Sequence, residues 1–179
     1  MSEYILKGMI LPFNVKSSIH GGVYTKESVK KAFDKFRKKV SEGEAYGCLE
    51  TRHFPVVEAT GYSPVEYISH QIKSVEMTDE GILAEIKVLN TKEGDLVKQL
   101  MDHDIALYGG ISGLGMLGED GFMELHTLNA IHLTCCSSFN PDVYYPLMPI
   151  GAASNILKKE LEYHISRNEM CKKLKEHDE

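Results

Sequence analysis

The chain has 179 residues, 42% of them hydrophobic and 26% charged, with a net charge of −6. This is the make-up of a soluble globular protein with room for one sizeable core and an appendage. No apolar run approaches the ~18 residues of a membrane helix. The acidic balance, with no basic face before the C-terminal tail, argues against nucleic acid as the main partner. The stretch Met1–Lys7 is too polar and too short for a signal peptide. Cys48, Cys135, Cys136 and Cys171 form no C-x-x-C pair, so a reducing cytosol and buried, unreactive thiols are expected, with Cys135 and Cys136 on opposite faces of a strand.

In chain order, Tyr4–Leu11 reads as a strand ended by Pro12, and 14–22 as a loop. Thr25 is the expected N-cap of a helix from Lys26 to about Val40, whose stripe is Val29, Ala32, Phe33, Phe36 and Val40. Gly43 is its stop. Ala45–Glu50 reads as a strand that delivers His53, and Phe54–Pro64 as a loop. Tyr67–Met77 and Gly81–Leu89 read as a strand pair joined at Thr78–Gly81, with Ile82, Ala84, Ile86 and Val88 on one face. Thr91 caps a second helix, Lys92 to about Met101, with Leu96, Val97, Leu100 and Met101 facing in. The apolar segment 105–111 follows, then a turn at Gly118–Gly121. Phe122–Cys136 is the longest strand candidate, divisible at Asn129, with Leu128, Ala130, His132 and Thr134 on one face. After Pro141, Pro146 and Pro149, Ser154 opens a charged helix reaching about Lys175. Many strands with two or three helices predict a β-rich α+β fold, a mostly antiparallel barrel over 1–150 flanked by helices, with a C-terminal helical tail over 151–179.

The chemistry centres on Gly109-Gly110-Ile111-Ser112-Gly113-Leu114-Gly115, a lone serine among four glycines. Glycine permits close backbone approach and positive φ. A reactive serine needs an exposed hydroxyl, nearby N–H groups and a base, and His53 in Glu50-Thr51-Arg52-His53-Phe54-Pro55 is the candidate base. The residues alone fit more readily a glycine turn whose serine bonds its own backbone.

The order of motifs resembles the prohead (head maturation) proteases of tailed bacteriophages. Gly47-Cys48-Leu49-Glu50-Thr51-Arg52-His53-Phe54-Pro55 stands where the family carries its catalytic histidine. Leu89-Asn90-Thr91-Lys92-Glu93-Gly94 resembles its Leu-x-Thr-x-x-Gly element. Gly110-Ile111-Ser112-Gly113-Leu114-Gly115 resembles the nucleophile element, and Ile131–Ser138 a late strand. The family is similar in fold and chemistry to the herpesvirus protease assemblin, a barrel enzyme with one serine and two histidines.

The resemblance implies a serine endopeptidase that processes scaffold or core protein, major capsid protein and itself, inside the prohead in the host cytoplasm. It implies Ser112 as nucleophile, His53 as base and His132 as the base's orienting partner, with Glu58 the carboxylate alternative. No cofactor, metal, nucleic acid or membrane is expected, and a homodimer is suggested by the herpesvirus-type enzymes. The family's Ser-Arg after the nucleophile is Gly113-Leu114 here, so backbone N–H groups such as theirs would hold the oxyanion. A cleavage preference after glutamate would make Glu160, Glu162 and Glu169 self-cleavage sites in a tail that otherwise docks to scaffold. His70, His103 and His126 are read as structural. Two rivals stand beside this: a barrel protein of the capsid or scaffold that has lost activity, and a zinc-dependent hydrolase drawing ligands from His53, His70, His126, His132 and Cys135.

Overall fold

In β4, Ile82, Ala84, Ile86 and Val88 are all buried while Glu85 and Lys87 are half-buried, the two-residue period of a strand with one core face. Residues 3–49, 65–139 and 146–150 are described in the computed structural model of the chain. Along them run β1 (Tyr4–Pro12), α1 (Lys26–Ser41), β2 (Tyr46–Cys48), a 3-10 turn (Val65–Tyr67) leading into β3 (Ile68–Met77), β4 (Gly81–Val88), α2 (Lys92–Asp102), β5 (Tyr108–Leu117), β6 (Met123–Thr134) and β7 (Met148–Ile150). Among the described residues the fold is β-rich α+β, with antiparallel sheets and two helices.

The strands form two sheets, one ordered β2-β3-β4-β1-β7 and one made of the hairpin β5–β6. The predicted closed barrel is not found among the described residues. β1 is laddered on both sides, to β4 and at Ile5–Lys7 to β7. β5 therefore meets β1 by packing: a Cβ on Gly109 would stand 2.4 Å from Ile10 Cγ2. On the other side the hairpin joins the larger sheet at the isolated parallel bridge of Leu49 with Leu133. Leu6, Ile10, Ile72, Ile82, Ile86, Ile131 and Leu133 belong to one continuous core shared by the two sheets.

Helix α1 begins as expected. Thr25 accepts from Ser28 N–H and the Ser28 hydroxyl accepts from Thr25 N–H, a reciprocal capping box. Val29, Ala32, Phe33, Phe36 and Val40 are its buried residues, and Gly43, at φ +75°, turns the chain out of the helix. In α2, Val97 and Met101 are buried, but Leu96 is 40% exposed rather than inward. One face of an eleven-residue helix meets the β3–β4 sheet, and Leu96 lies off it.

The Thr91–Gly94 motif now has a structural reason. Thr91 Oγ1 donates to Ile68 O (2.7 Å) and accepts from Gly94 N–H (3.0 Å), tying the start of α2 to the start of β3. A Cβ on Gly94 would stand 2.0 Å from Leu89 O.

β6 is one strand, not two, yet its pairing slips at Asn129. Ser112 pairs with Ala130 and Gly113 with Leu128, so β6 holds one extra residue there, and another, His126, opposite Leu114–Gly115. The single face expected for Leu128–Thr134 therefore holds only from Ala130. Leu128 joins the main core, whereas Ala130 packs with Cys48 in a separate cluster. Cys135 and Cys136 lie beyond the end of β6 and both are exposed, correcting their expected burial on a strand; Cys48 is buried as expected. The expected C-terminal helix, the 151–179 tail and Cys171 lie outside the described residues.

Candidate active site

The glycine run is neither a turn nor a loop. It lies in the strand β5, and none of Gly109, Gly110, Gly113 and Gly115 takes a positive φ. The glycines there serve close approach only. Ser112 sits mid-strand and is buried, at 8% exposure, which departs from the exposed hydroxyl expected of a reactive serine.

Residues of one face recur every second position and pair with residues of the same face on the partner strand. Ser112, Gly110 and Tyr108 thus share a face with Ala130, His132 and Thr134. His132 lies directly opposite Gly110, and its ring leans across: a Cβ at position 110 would stand 2.2 Å from His132 Nε2. The imidazole occupies the space that a side chain at 110 would take. That space is the same-face neighbour of Ser112, about 7 Å along the strand. The missing Cβ of Gly110 is what places an imidazole beside the serine.

Behind this face lies a second histidine. His70, on β3, is completely buried. Its Nε2 is 3.0 Å from Ile131 O and its Nδ1 is 2.8 Å from Ser69 Oγ. A carbonyl can only accept, so Nε2 carries the proton and Nδ1 accepts from the Ser69 hydroxyl. The ring is therefore a fixed tautomer that ties β3 to β6 at the residue before His132. Gly47 makes this possible, since a Cβ there would stand 2.3 Å from His70 Nε2 and 2.0 Å from Ile131 O. Burial pushes the His70 pKa down to about 4; the bond to Ile131 opposes this and the nearby His132 adds to it.

His70 is thus neutral in the native protein and takes up a proton near pH 6.5 when the chain unfolds. Stability is full above about pH 6.5 and falls as pH drops toward 4, by about 3 kcal/mol from this group. Urea titrations across pH 4–7 check this: the fall should flatten by a comparable amount in His70→Gln, and an unchanged slope would contradict it.

His53 and Glu58 lie outside the described residues. The last described residue before them, Leu49, is bridged to Leu133, next to His132. Of the N–H groups expected to hold an oxyanion, that of Leu114 already donates to Thr127 Oγ1 at 3.0 Å. His103 follows the last turn of α2, and His126 is an exposed histidine beside Glu124. His126 stands six residues, about 20 Å of strand, from His132. Among the described residues no three His, Cys, Asp or Glu side chains gather as a metal site. No described helix is long and apolar enough to cross a membrane.

The sequence pattern left His70 apart from the site, although its two-residue spacing from Ile72 marks an inward position on β3. That it reaches Ile131, 61 residues away, no local pattern signals.

No family model and no curated protein matches the chain. Among solved structures, the bacteriophage T4 capsid assembly protease, gp21, is similar, with a TM-score of 0.57 and 13% sequence identity over 73% of this chain and 80% of that chain. The fold is similar to that of this capsid assembly protease. At this identity the shared property is the arrangement of strands and helices, which a pattern of buried positions maintains while individual side chains change. In this chain, the motif glycines Gly47 and Gly110 and the cap Thr91 are positions where backbone geometry itself restricts the residue.

Proposed function

We propose that this chain is a serine endopeptidase that cuts scaffold and major capsid proteins, and itself, during maturation of a phage head, inside the prohead in the host cytoplasm. The observation that carries this is that, in a fold similar to that of a capsid assembly protease, the buried Ser112 shares a strand face with the His132 imidazole laid over Gly110.

Ser112 is the nucleophile in this reading. Its hydroxyl is inert at neutral pH until a base takes the proton, and that base is His53. Four residue steps separate His53 from Leu49, which lies beside Leu133, and such a segment spans at most about 14 Å. His53 thus lies within reach of the strand face that carries Ser112 and His132. His53 removes the proton as Ser112 Oγ attacks the scissile carbonyl, then gives it to the leaving amine. Water, activated by the same imidazole, releases the acyl group. His132 accepts from the far nitrogen of His53 and so fixes its tautomer, the part a carboxylate plays in commoner triads.

A serine-directed phosphonate tests the assignment. Its adduct is expected on the Ser112 peptide of the wild-type protein and absent from Ser112→Ala, as read by peptide mass spectrometry. A folded wild-type protein that takes up no adduct at Ser112 would favour a capsid-associated protein without activity.

A further inference from the structure

The triad leaves one fully buried polar pair unused. Ser69 and His70 on β3 are both at 0% exposure, and the His70 ring meets the backbone of β6. Resting on the serine endopeptidase reading, we propose that His70, held by Ser69, is a positioning residue that fixes the ring of His132 beside Ser112.

The contact is made to the Ile131 carbonyl, and that carbonyl and the His132 N–H belong to one rigid peptide plane. Pinning the carbonyl fixes the direction from which the His132 side chain departs. The pin acts where β6 needs it. Asn129, three residues before His132, is an extra residue in the pairing with β5, and ladders are locally disrupted at such bulges. On its other side β6 meets the β2 segment through the bridge at Leu133. The imidazole thus acts as a rung between β3 and β6 at the one residue whose plane leads into His132. Its tautomer is fixed by the Ile131 carbonyl, which can only accept, and the Ser69 hydroxyl then donates to Nδ1 and holds the ring in place. The space is cleared on both sides of β6's path: Gly47 admits the His70 ring and Gly110 admits the His132 ring. A simple space-filling role would need the shape of His70 but not its donor.

Three variants separate these. His70→Gln keeps an N–H where Nε2 stands, His70→Met keeps bulk without a donor, and Ser69→Ala keeps the ring and its donor but removes the bond to Nδ1 that holds it. Cleavage of capsid or scaffold protein by His70→Met should lose about 10²-fold in kcat with KM little changed. His70→Gln should recover most of this, and Ser69→Ala should fall between. The ¹H–¹⁵N signals of the His132 ring should move in His70→Met and stay in His70→Gln. A folded His70→Met with wild-type kcat and unmoved ring signals overturns the proposal, as does His70→Gln as impaired as His70→Met. Should His70→Met fail to fold, Ser69→Ala decides, an unchanged kcat and ring spectrum refuting the pin. Cleavage that survives Ser112→Ala overturns the functional reading and any catalytic role for the pin with it. Ser112-dependent cleavage with kcat unaltered in His70→Met overturns the pin alone.

Discussion

Replacing Ser112 with alanine is expected to slow cleavage of capsid and scaffold protein by about 10⁴-fold or more. The substitution removes one oxygen from a position that pairs with Ala130 inside the β5–β6 ladder, so the fold should be little disturbed and the loss should fall on turnover. His53→Ala should cost as much, and the double variant no more than either, because nucleophile and base act as a unit. His132→Ala should cost less, since it leaves both in place. Gel densitometry of the substrate over time reads all four proteins. Equal cleavage by wild type and Ser112→Ala would refute the nucleophile. A crippled Glu58→Gln beside an active His132→Ala would move the orienting role to Glu58.

The second large effect is on stability. Gly47→Ala should destabilise the protein by about 3–5 kcal/mol, the sum of overpacking a tight contact and losing a buried hydrogen bond. The added methyl would meet a backbone oxygen, Ile131 O, at 2.0 Å and a ring nitrogen, His70 Nε2, at 2.3 Å. Neither is the loose end of a flexible chain. Either β2 must move away from β6, or the His70–Ile131 bond must break. The urea midpoint reports the change, and a loss below about 1 kcal/mol, the ordinary cost of a substitution, would show that β2 and β6 are not held this closely.

The glycines around Ser112 changed meaning between sequence and structure. In the sequence, the run around Ser112 fitted a glycine turn, because glycine permits positive φ. In the fold these glycines lie in a strand, and Gly110 is there for His132. A sequence carries the identity of Gly110 but not the neighbour that a side chain there would strike.

What the sequence alone determined is what depends on residues close together along the chain. Helix α1, its cap at Thr25, its stripe of five buried residues and its stop at Gly43 were all legible, since capping and the 3.6-residue period are local. So were α2 with its Thr91 cap, the β3–β4 hairpin and the alternation of β4. The ordered motifs also pointed to a fold similar to that of the T4 capsid assembly protease. What the tertiary structure decided depends on pairing between distant segments. It decided that the strands make two sheets because both sides of β1 are occupied. An extra residue at Asn129 sets Leu128 apart from the face of Ser112 and His132. His70 and Ile131, 61 residues apart, meet through a single hydrogen bond. Register and bulges follow from which strands lie side by side, and a shift of one residue reverses every face; that choice is made by the whole core at once, not by any stretch of sequence read in isolation.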